Sequence, residues 1–305
     1  MRVVFMGTPS YATVIFQALL ETQGIDVVLL VTQEDKPVGR KQVLTPPHIK
    51  SWLLEQAYSL DIYQPKTLKT EEAYAKIASY QPDFIVVAAY GQILPASILG
   101  IAPCINLHAS LLPKYRGASP IQSTLLDNEK YAGVTSMLME QGLDTGAMLG
   151  FTYYPIQPCD NAAVLFDTLA HLAALLTKET LFNFSSILPI PQCHANASLC
   201  KKIKKDDGLI HFDESAKNIY TKYKAFSPWP GIFISSGLKL LDIELVNTKP
   251  SAQSGCIVAI HASSIEVACH EGHLLIRSVQ PMSKNAMSSV DYIRGKRFGI
   301  GDLLV

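Results

Sequence analysis

The chain has 305 residues, 26 Lys+Arg against 26 Asp+Glu, 48% hydrophobic residues and 17% charged ones. That length exceeds the usual single core, so two domains are expected, each large enough to fold without staples. Six cysteines without paired C-x-x-C spacing argue against a disulfide framework and predict free thiols in a cytoplasmic protein. The strongest apolar run, Phe84 to Tyr90, is too short to cross a bilayer, and the first residues enter a strand-like segment without a signal peptide's charged and apolar regions, so no membrane partner is expected.

Val3 to Met6 reads as a buried strand, Ser10 to Glu21 as an amphipathic helix with Ser10 as its N-cap, and Asp26 to Thr32 as a second strand. This opens a βαβ unit. The turn between them, Gly7-Thr8-Pro9-Ser10, has one glycine and lacks the G-x-G-x-x-G that lets a backbone approach a pyrophosphate. No G-x-x-x-x-G-K-[ST] occurs either, which disfavours hydride transfer and NTP hydrolysis. Glu34 to Pro47 is a polar, proline-containing excursion of unusual length, read as a loop whose Lys36, Arg40 and Lys41 suit phosphate and base-edge contacts.

Helices are expected over 51–57 and 71–79, and continuous apolar strands over Phe84–Ala89 and within 101–107. The fold class is therefore α/β, a Rossmann-like, mostly parallel sheet with helices on both faces, in which sites form beyond the carboxyl ends of the strands. Asn106 and His108 lie at such an end. Period-two alternation sends both side chains to one face, so an amide donor and an imidazole base can share a site. Asp144, held in Gly142-Leu143-Asp144-Thr145-Gly146, supplies a carboxylate able to orient the imidazole. This is a set of groups suited to group transfer.

A long helix is expected over Asn161–Ser186. The stretch 187–205, with Pro189, Pro191 and a cluster that includes Lys204 and Lys205, reads as a linker. A helix over Ser215–Phe226 follows, and then five short β-like runs, 231–235, 239–246, 255–261, 265–269 and 273–280, with Glu271-Gly272 as a hairpin turn. They predict a small OB-like β-barrel. Residues 1–200 hold 12 basic against 16 acidic side chains, and residues 201–305 hold 14 against 10, so the second part is suited to a polyanion. Cys269-His270-Glu271-Gly272-His273 has no second cluster at zinc spacing, so no metal is expected. Trp52 is assigned to the core, and Trp229, between two prolines, to a rigid packing anchor.

Asn106-x-His108-x-Ser110-Leu111-Leu112-Pro113, Tyr115-Arg116-Gly117, Pro120-Ile121-Gln122 and Gly142-Leu143-Asp144-Thr145-Gly146 together resemble the folate-dependent formyltransferases in order and spacing. Phe5-Met6-Gly7-Thr8-Pro9, Thr32-Gln33 through Gly39-Arg40-Lys41, Ala88 through Pro95 and Ala225 through Gly231 extend the resemblance over essentially the whole chain, to the branch of that family that acts on methionyl-tRNA. The resemblance implies Asn106, His108 and Asp144 as a catalytic trio. It also implies a 10-formyltetrahydrofolate site at Tyr90, Gly91, Ile93, Leu94, Ser110, Leu111, Leu112 and Pro113, and initiator tRNA contacts at Lys36, Arg40, Lys41, Lys204 and Lys205. The expected partners are methionyl initiator tRNA and the folate, with a monomeric protein. Ala109 stands where relatives often have glycine, and Met282-Ser283-Lys284-Asn285 lacks the Gly-Lys-Lys of many, which weakens the case for Lys284 as one of the family's RNA contacts and leaves its role open. The expected boundaries are 1–186 for a catalytic domain, 187–205 for a linker and 206–305 for a tRNA-binding domain. The alternatives are formyl transfer to a nucleotide-linked amino sugar and a non-catalytic folate-sensing RNA-binding protein.

Overall fold

The first apolar run becomes strand β1 (Arg2–Gly7), followed by helix α1 (Ser10–Leu20) and strand β2 (Asp26–Val31). Because β1 is buried on both faces, alternate side chains serve two cores. Phe5 meets Phe16 of α1 at a ring distance of 5.2 Å, while Val4 and Met6 pack with Leu29, Ile77, Ile85, Val87 and Ile98. Ser10 is inside α1 and does not cap it; Pro9 is the N-cap, its carbonyl accepting from the Thr13 amide at 3.1 Å. A proline at that position removes no needed donor, since the first-turn amides have no intrahelical acceptor.

The excursion after β2 is not an irregular loop. Strands β3 (Lys36–Val38) and β4 (Val43–Thr45) pair antiparallel as an exposed two-stranded ribbon. Helix α2 (His48–Glu55) begins earlier than the apolar pattern suggests, and the chain continues through β5 (Ile62–Tyr63), α3 (Glu71–Ala78), β6 (Phe84–Ala88), α4 (Ala96–Leu99) and β7 (Cys104–His108). Thr70 caps α3 by accepting from the Ala73 amide at 3.2 Å. Trp52 of α2 packs edge-on against Phe16 at 6.0 Å.

Beyond β7 come β8 (Arg116–Gly117), α5 (Pro120–Leu126), β9 (Tyr131–Leu138), β10 (Met148–Pro155), α6 (Ala162–Asn183) and β11 (Leu199–Cys200). The seven-stranded sheet has the order β10-β9-β7-β6-β1-β2-β5. Its β5-β2-β1-β6-β7 part is parallel, while β9 and β10 join it antiparallel. Strand order reverses between β1 and β6, the position at which open α/β sheets commonly take ligands beyond the carboxyl ends of their strands.

The C-terminal part holds α7 (Ala216–Phe226), β12 (Ile232–Phe233), β13 (Lys239–Asn247), β14 (Ile257–Ile260), β15 (Ile265–Ala268), β16 (His273–Gln280), β17 (Met287–Ser288) and α8 (Ser289–Lys296). The strands form an antiparallel sheet of order β12-β13-β16-β15-β14, with β17 pairing to β16. Gly272, at φ +79°, makes the β15–β16 turn. Ser215 and Ser288 cap α7 and α8 by accepting from the Asn218 and Asp291 amides. Trp229 is 57% exposed and is not a packing anchor; the neighbouring Pro230 is buried instead.

The structure, a computed structural model, describes residues 1–39, 41–56, 58–247 and 252–304. It divides into a first unit of Met1–Pro120, Lys130–Ile156 and Leu165–Lys201 and a second of Ile121–Glu129, Gln157–Val164 and Lys202–Val305. Among the described residues no helix is long and apolar enough to cross a membrane.

Candidate active site

Strand β7 presents Asn106 and His108 on one face, both nearly closed to solvent at 9% and 6% exposure. The turn between β9 and β10 returns to this strand and brings Asp144 against it. Asn106 Nδ2 donates to Asp144 Oδ1 at 3.3 Å, and His108 Nδ1 lies 3.6 Å from Asp144 Oδ2. The carboxylate accepts only, so the Asn106 nitrogen must face it, which leaves one further N–H on that amide. The Gly117 amide also donates to Asp144 Oδ2, at 2.9 Å.

The direct hydrogen bond to the imidazole comes from elsewhere. His108 Nε2 is 2.8 Å from the Tyr115 carbonyl oxygen. A carbonyl accepts, so Nε2 carries the proton and Nδ1 holds the lone pair in the neutral ring. A proton taken at Nδ1 would then be next to the Asp144 carboxylate. Tyr115 has φ +61° and Asp144 φ +52°, conformations that side-chain-bearing residues adopt at a cost and that occur where surrounding contacts hold them.

Those contacts come largely from residues 190–200. The Ser198 carbonyl accepts from Arg116 N at 2.9 Å, the Ser198 hydroxyl accepts from Tyr115 N at 2.9 Å, and β11 pairs with β8. Gly117, at φ +122°, lies so close to Cys200 that a Cβ would overlap the Cys200 carbonyl oxygen. The stretch read from sequence as a linker therefore runs, up to Lys201, through the first unit. Gln192 donates to the carbonyls of Asp144 and Gly146 at 2.9 and 2.8 Å and accepts from Arg116 at 3.0 and 2.7 Å. Nothing in the local pattern marks Gln192 or Thr135 as part of this arrangement, and Tyr115-Arg116-Gly117 enters only through the family resemblance.

The segment after β7 is tied down by Thr135, whose hydroxyl donates to the Ser110 carbonyl at 2.7 Å and accepts from the Leu112 amide at 3.1 Å. Ser110 and Leu112 are buried, while Leu111 and Pro113 are half-buried. After β6, the Tyr90 carbonyl accepts from Thr8 and Gln33, each at 3.1 Å, and Gly91 turns the chain at φ +86°. β6 and β7 are neighbours, with Val87 opposite Asn106, so both candidate folate segments leave adjacent strand ends. Within them Ile93 is 74% exposed, whereas Leu94 belongs to the core and the Tyr90 ring is buried with its hydroxyl unpartnered among the described residues. Burial holds the Tyr90 phenol neutral by raising its pKa.

Of the basic positions, Lys36 and Lys41 are exposed on the ribbon of the first unit, and Arg40 lies outside the described residues. Lys204 and Lys205 are exposed in the second unit at the start of a 3-10 turn. Lys284 lines a cavity of about 440 Å³ with Met282, Tyr292 and Lys296. His273 pairs with Glu266 at 2.7 Å, and among the described residues no three His, Cys, Asp or Glu side chains are grouped to hold a metal.

The arrangement offers an amide donor, a base and a carboxylate around one point, which suits nucleophilic attack by an amine on a carbonyl carbon. Residues 1–180 match the formyl transferase family model, and residues 202–297 match the model of the formyl transferase C-terminal domain. A methionyl-tRNA formyltransferase of a Nitratiruptor species is 56% identical over 302 residues, 99% of each chain. Among solved structures, WlaRD, a sugar 3N-formyl transferase described in the presence of dTDP and 5-N-formyl-THF, aligns with TM-score 0.65 at 19% identity over 93% of this chain and 99% of its own. Methionyl-tRNA formyltransferase from Clostridium thermocellum aligns with TM-score 0.57 at 18% identity over 81% and 94%. At such identities these two structures speak for the fold alone, whereas the family models and the close relative identify the lineage. The chain belongs to the formyl transferase family, on its methionyl-tRNA formyltransferase branch.

Proposed function

We propose that this protein moves the formyl group of 10-formyltetrahydrofolate to the α-amine of methionine carried by initiator tRNA. The observation that carries the reading is the convergence of Asn106, His108 and Asp144, with His108 Nδ1 as the free basic nitrogen next to a carboxylate. The amine nitrogen forms a bond to the formyl carbon, and the bond from that carbon to folate N10 breaks. An α-amino group titrates near ~7.7 to 8.0, so a substantial neutral fraction exists at neutral pH and only modest base assistance is required. His108 Nδ1 takes the proton the amine loses. The second N–H of Asn106 donates to the formyl oxygen as it gains negative charge. Asp144 stabilises the imidazolium and helps return a proton to the departing N10.

In this reading Tyr90, Gly91, Ile93, Leu94 and Ser110 to Pro113 frame the folate, with Tyr90 and Leu94 acting from within the core and Ile93 at the surface. Lys36, Arg40, Lys41, Lys204 and Lys205 contact tRNA. The chain is divided into a catalytic domain 1–186, a segment 187–205 whose residues up to Lys201 run with the first unit and support its site, and a tRNA-binding domain 206–305, and it acts as a monomer without a metal.

The test is one assay with labelled 10-formyltetrahydrofolate and three acceptors: methionyl initiator tRNA, methionyl elongator tRNA and a nucleotide-linked amino sugar. Formylation confined to the initiator tRNA is expected. Label on the amino sugar alone would replace the proposal, and folate binding without transfer to any acceptor would point to a sensor.

A further inference from the structure

We infer that Gln192 is a positioning residue that holds Asp144 in its reacting geometry, and that Arg116 dictates which way its amide faces. The inference rests on the proposed role of Asp144 and extends it to a residue outside the trio. Gln192 is 6% exposed, and all of its hydrogen-bonding capacity is used. Its two N–H groups go to the Asp144 and Gly146 carbonyls, and its oxygen accepts twice from Arg116. A guanidinium can only donate and a carbonyl can only accept, so no flipped amide fits.

Asp144 needs such a clamp. Its φ is +52°, and the preceding Gln141, Gly142 and Leu143 are exposed. Gln192 grips the backbone at Asp144 itself and again two residues on at Gly146, while Gly117 and Asn106 reach only the carboxylate. Together the four contacts fix where the carboxylate stands relative to His108.

The choice of an amide at 192 is itself informative. Arg116 is 5% exposed, and its partners are Gln192 and the His194 ring, with no carboxylate in ion-pair range among the described residues. A buried cation is better compensated by an anion than by a neutral oxygen. Glutamate would serve Arg116 better than glutamine does, but it would turn an acceptor toward the Asp144 and Gly146 carbonyls. The amide is the side chain of that length that satisfies the guanidinium and still supplies two donors.

The experiment compares wild type, Gln192→Glu, Gln192→Met and Asp144→Asn, with the Asp144→Asn/Gln192→Glu double variant, in formyl transfer and thermal unfolding. Gln192→Glu should remain folded with at most a modest fall in its unfolding midpoint, since the gained ion pair with Arg116 offsets part of the two lost hydrogen bonds, while kcat falls by about 10²-fold, the scale of misplacing a reacting group by about 1 Å. KM for the formyl donor should stay within about twofold, because the lost geometry matters to the transition state and not to ground-state binding. The double variant should be no slower than Asp144→Asn alone. Wild-type kcat in both Gln192 variants, multiplication of the two losses, or a loss of activity that tracks the loss of folded protein would overturn the inference. So would failure of both Gln192 variants to fold. A fully active Asp144→Asn would instead remove the role proposed for Asp144, an outcome distinct from an inactive Asp144→Asn beside an unaffected Gln192→Glu.

Discussion

His108 Nδ1 and Asp144 Oδ2 stand 3.6 Å apart, beyond a direct hydrogen bond, while the opposite ring nitrogen of His108 is held at 2.8 Å by the Tyr115 carbonyl. The carboxylate is thus placed to receive an imidazolium and the carbonyl to fix the ring. His108→Ala and Asp144→Asn should each be strongly defective, and the double variant should resemble the worse of the two, because stabilising an imidazolium is worthless once the ring is gone. Single-turnover formylation by the three variants checks this; independent multiplication of the losses would place Asp144 in a separate task.

Asn106→Ala should lower turnover by ~10² to 10³ while barely changing folate affinity, since the amide's second N–H serves an oxyanion absent from the ground state. Calorimetric titration with a non-reacting folate analogue, run beside kcat, separates the two effects. An equal fall in affinity and rate would make Asn106 a binding residue.

Gly117→Ala should damage both stability and rate. A Cβ would overlap the Cys200 carbonyl oxygen at a φ of +122°, a conformation that costs roughly 1 to 3 kcal/mol for other residues. The shift needed to relieve it moves the amide that donates to Asp144. Urea unfolding and kcat are the readouts, and a stable, fully active variant would show that this amide is dispensable.

Alkaline stability should depend on Cys104, a buried residue of β7. Burial pushes its thiol up to about 12 from an ordinary 9.0. In the unfolded chain the thiol ionises first, so stability from keeping it neutral is fully present below about pH 9 and is lost as pH rises toward 12. Cys104→Ala should therefore show a shallower decline in unfolding free energy over that window than wild type, whatever its stability at neutral pH. Parallel slopes would mean that the thiol does not contribute.

Arg40→Ala should reduce formylation of methionyl initiator tRNA without changing folate binding, and Arg40→Lys should also be impaired, because an ammonium retains the charge and loses the planar fork. The comparison is made at several salt concentrations with tRNAs paired and unpaired at the acceptor end. Wild-type behaviour of both variants on every tRNA would assign tRNA selection to the C-terminal domain.

Much of the frame was legible along the chain. Apolar runs of strand length located β1, β2, β6 and β7, and the alternation of Asn106 and His108 put both on one face. These are local properties, set by backbone periodicity and burial. The ribbon of β3 and β4 escaped the same reading because its pairing is exposed: Val38 is 55% and Val43 58% exposed, so no buried face imposes a pattern. Trp229 misled for the complementary reason, since an aromatic flanked by prolines says nothing about whether a core exists beside it.

By itself the sequence determined the sheet, the motif and the lineage. Only the tertiary structure decided how Asp144 meets β7, across 38 positions of sequence from Asn106, and which groups hold it there. The Tyr115 carbonyl, the Gly117 amide and the Gln192 side chain act through backbone direction and long-range closure. A carbonyl has no identity in the one-letter code, and a glutamine that follows Pro191 looks like any other until Arg116 and the Asp144 turn are brought to it by the pairing of β8 with β11.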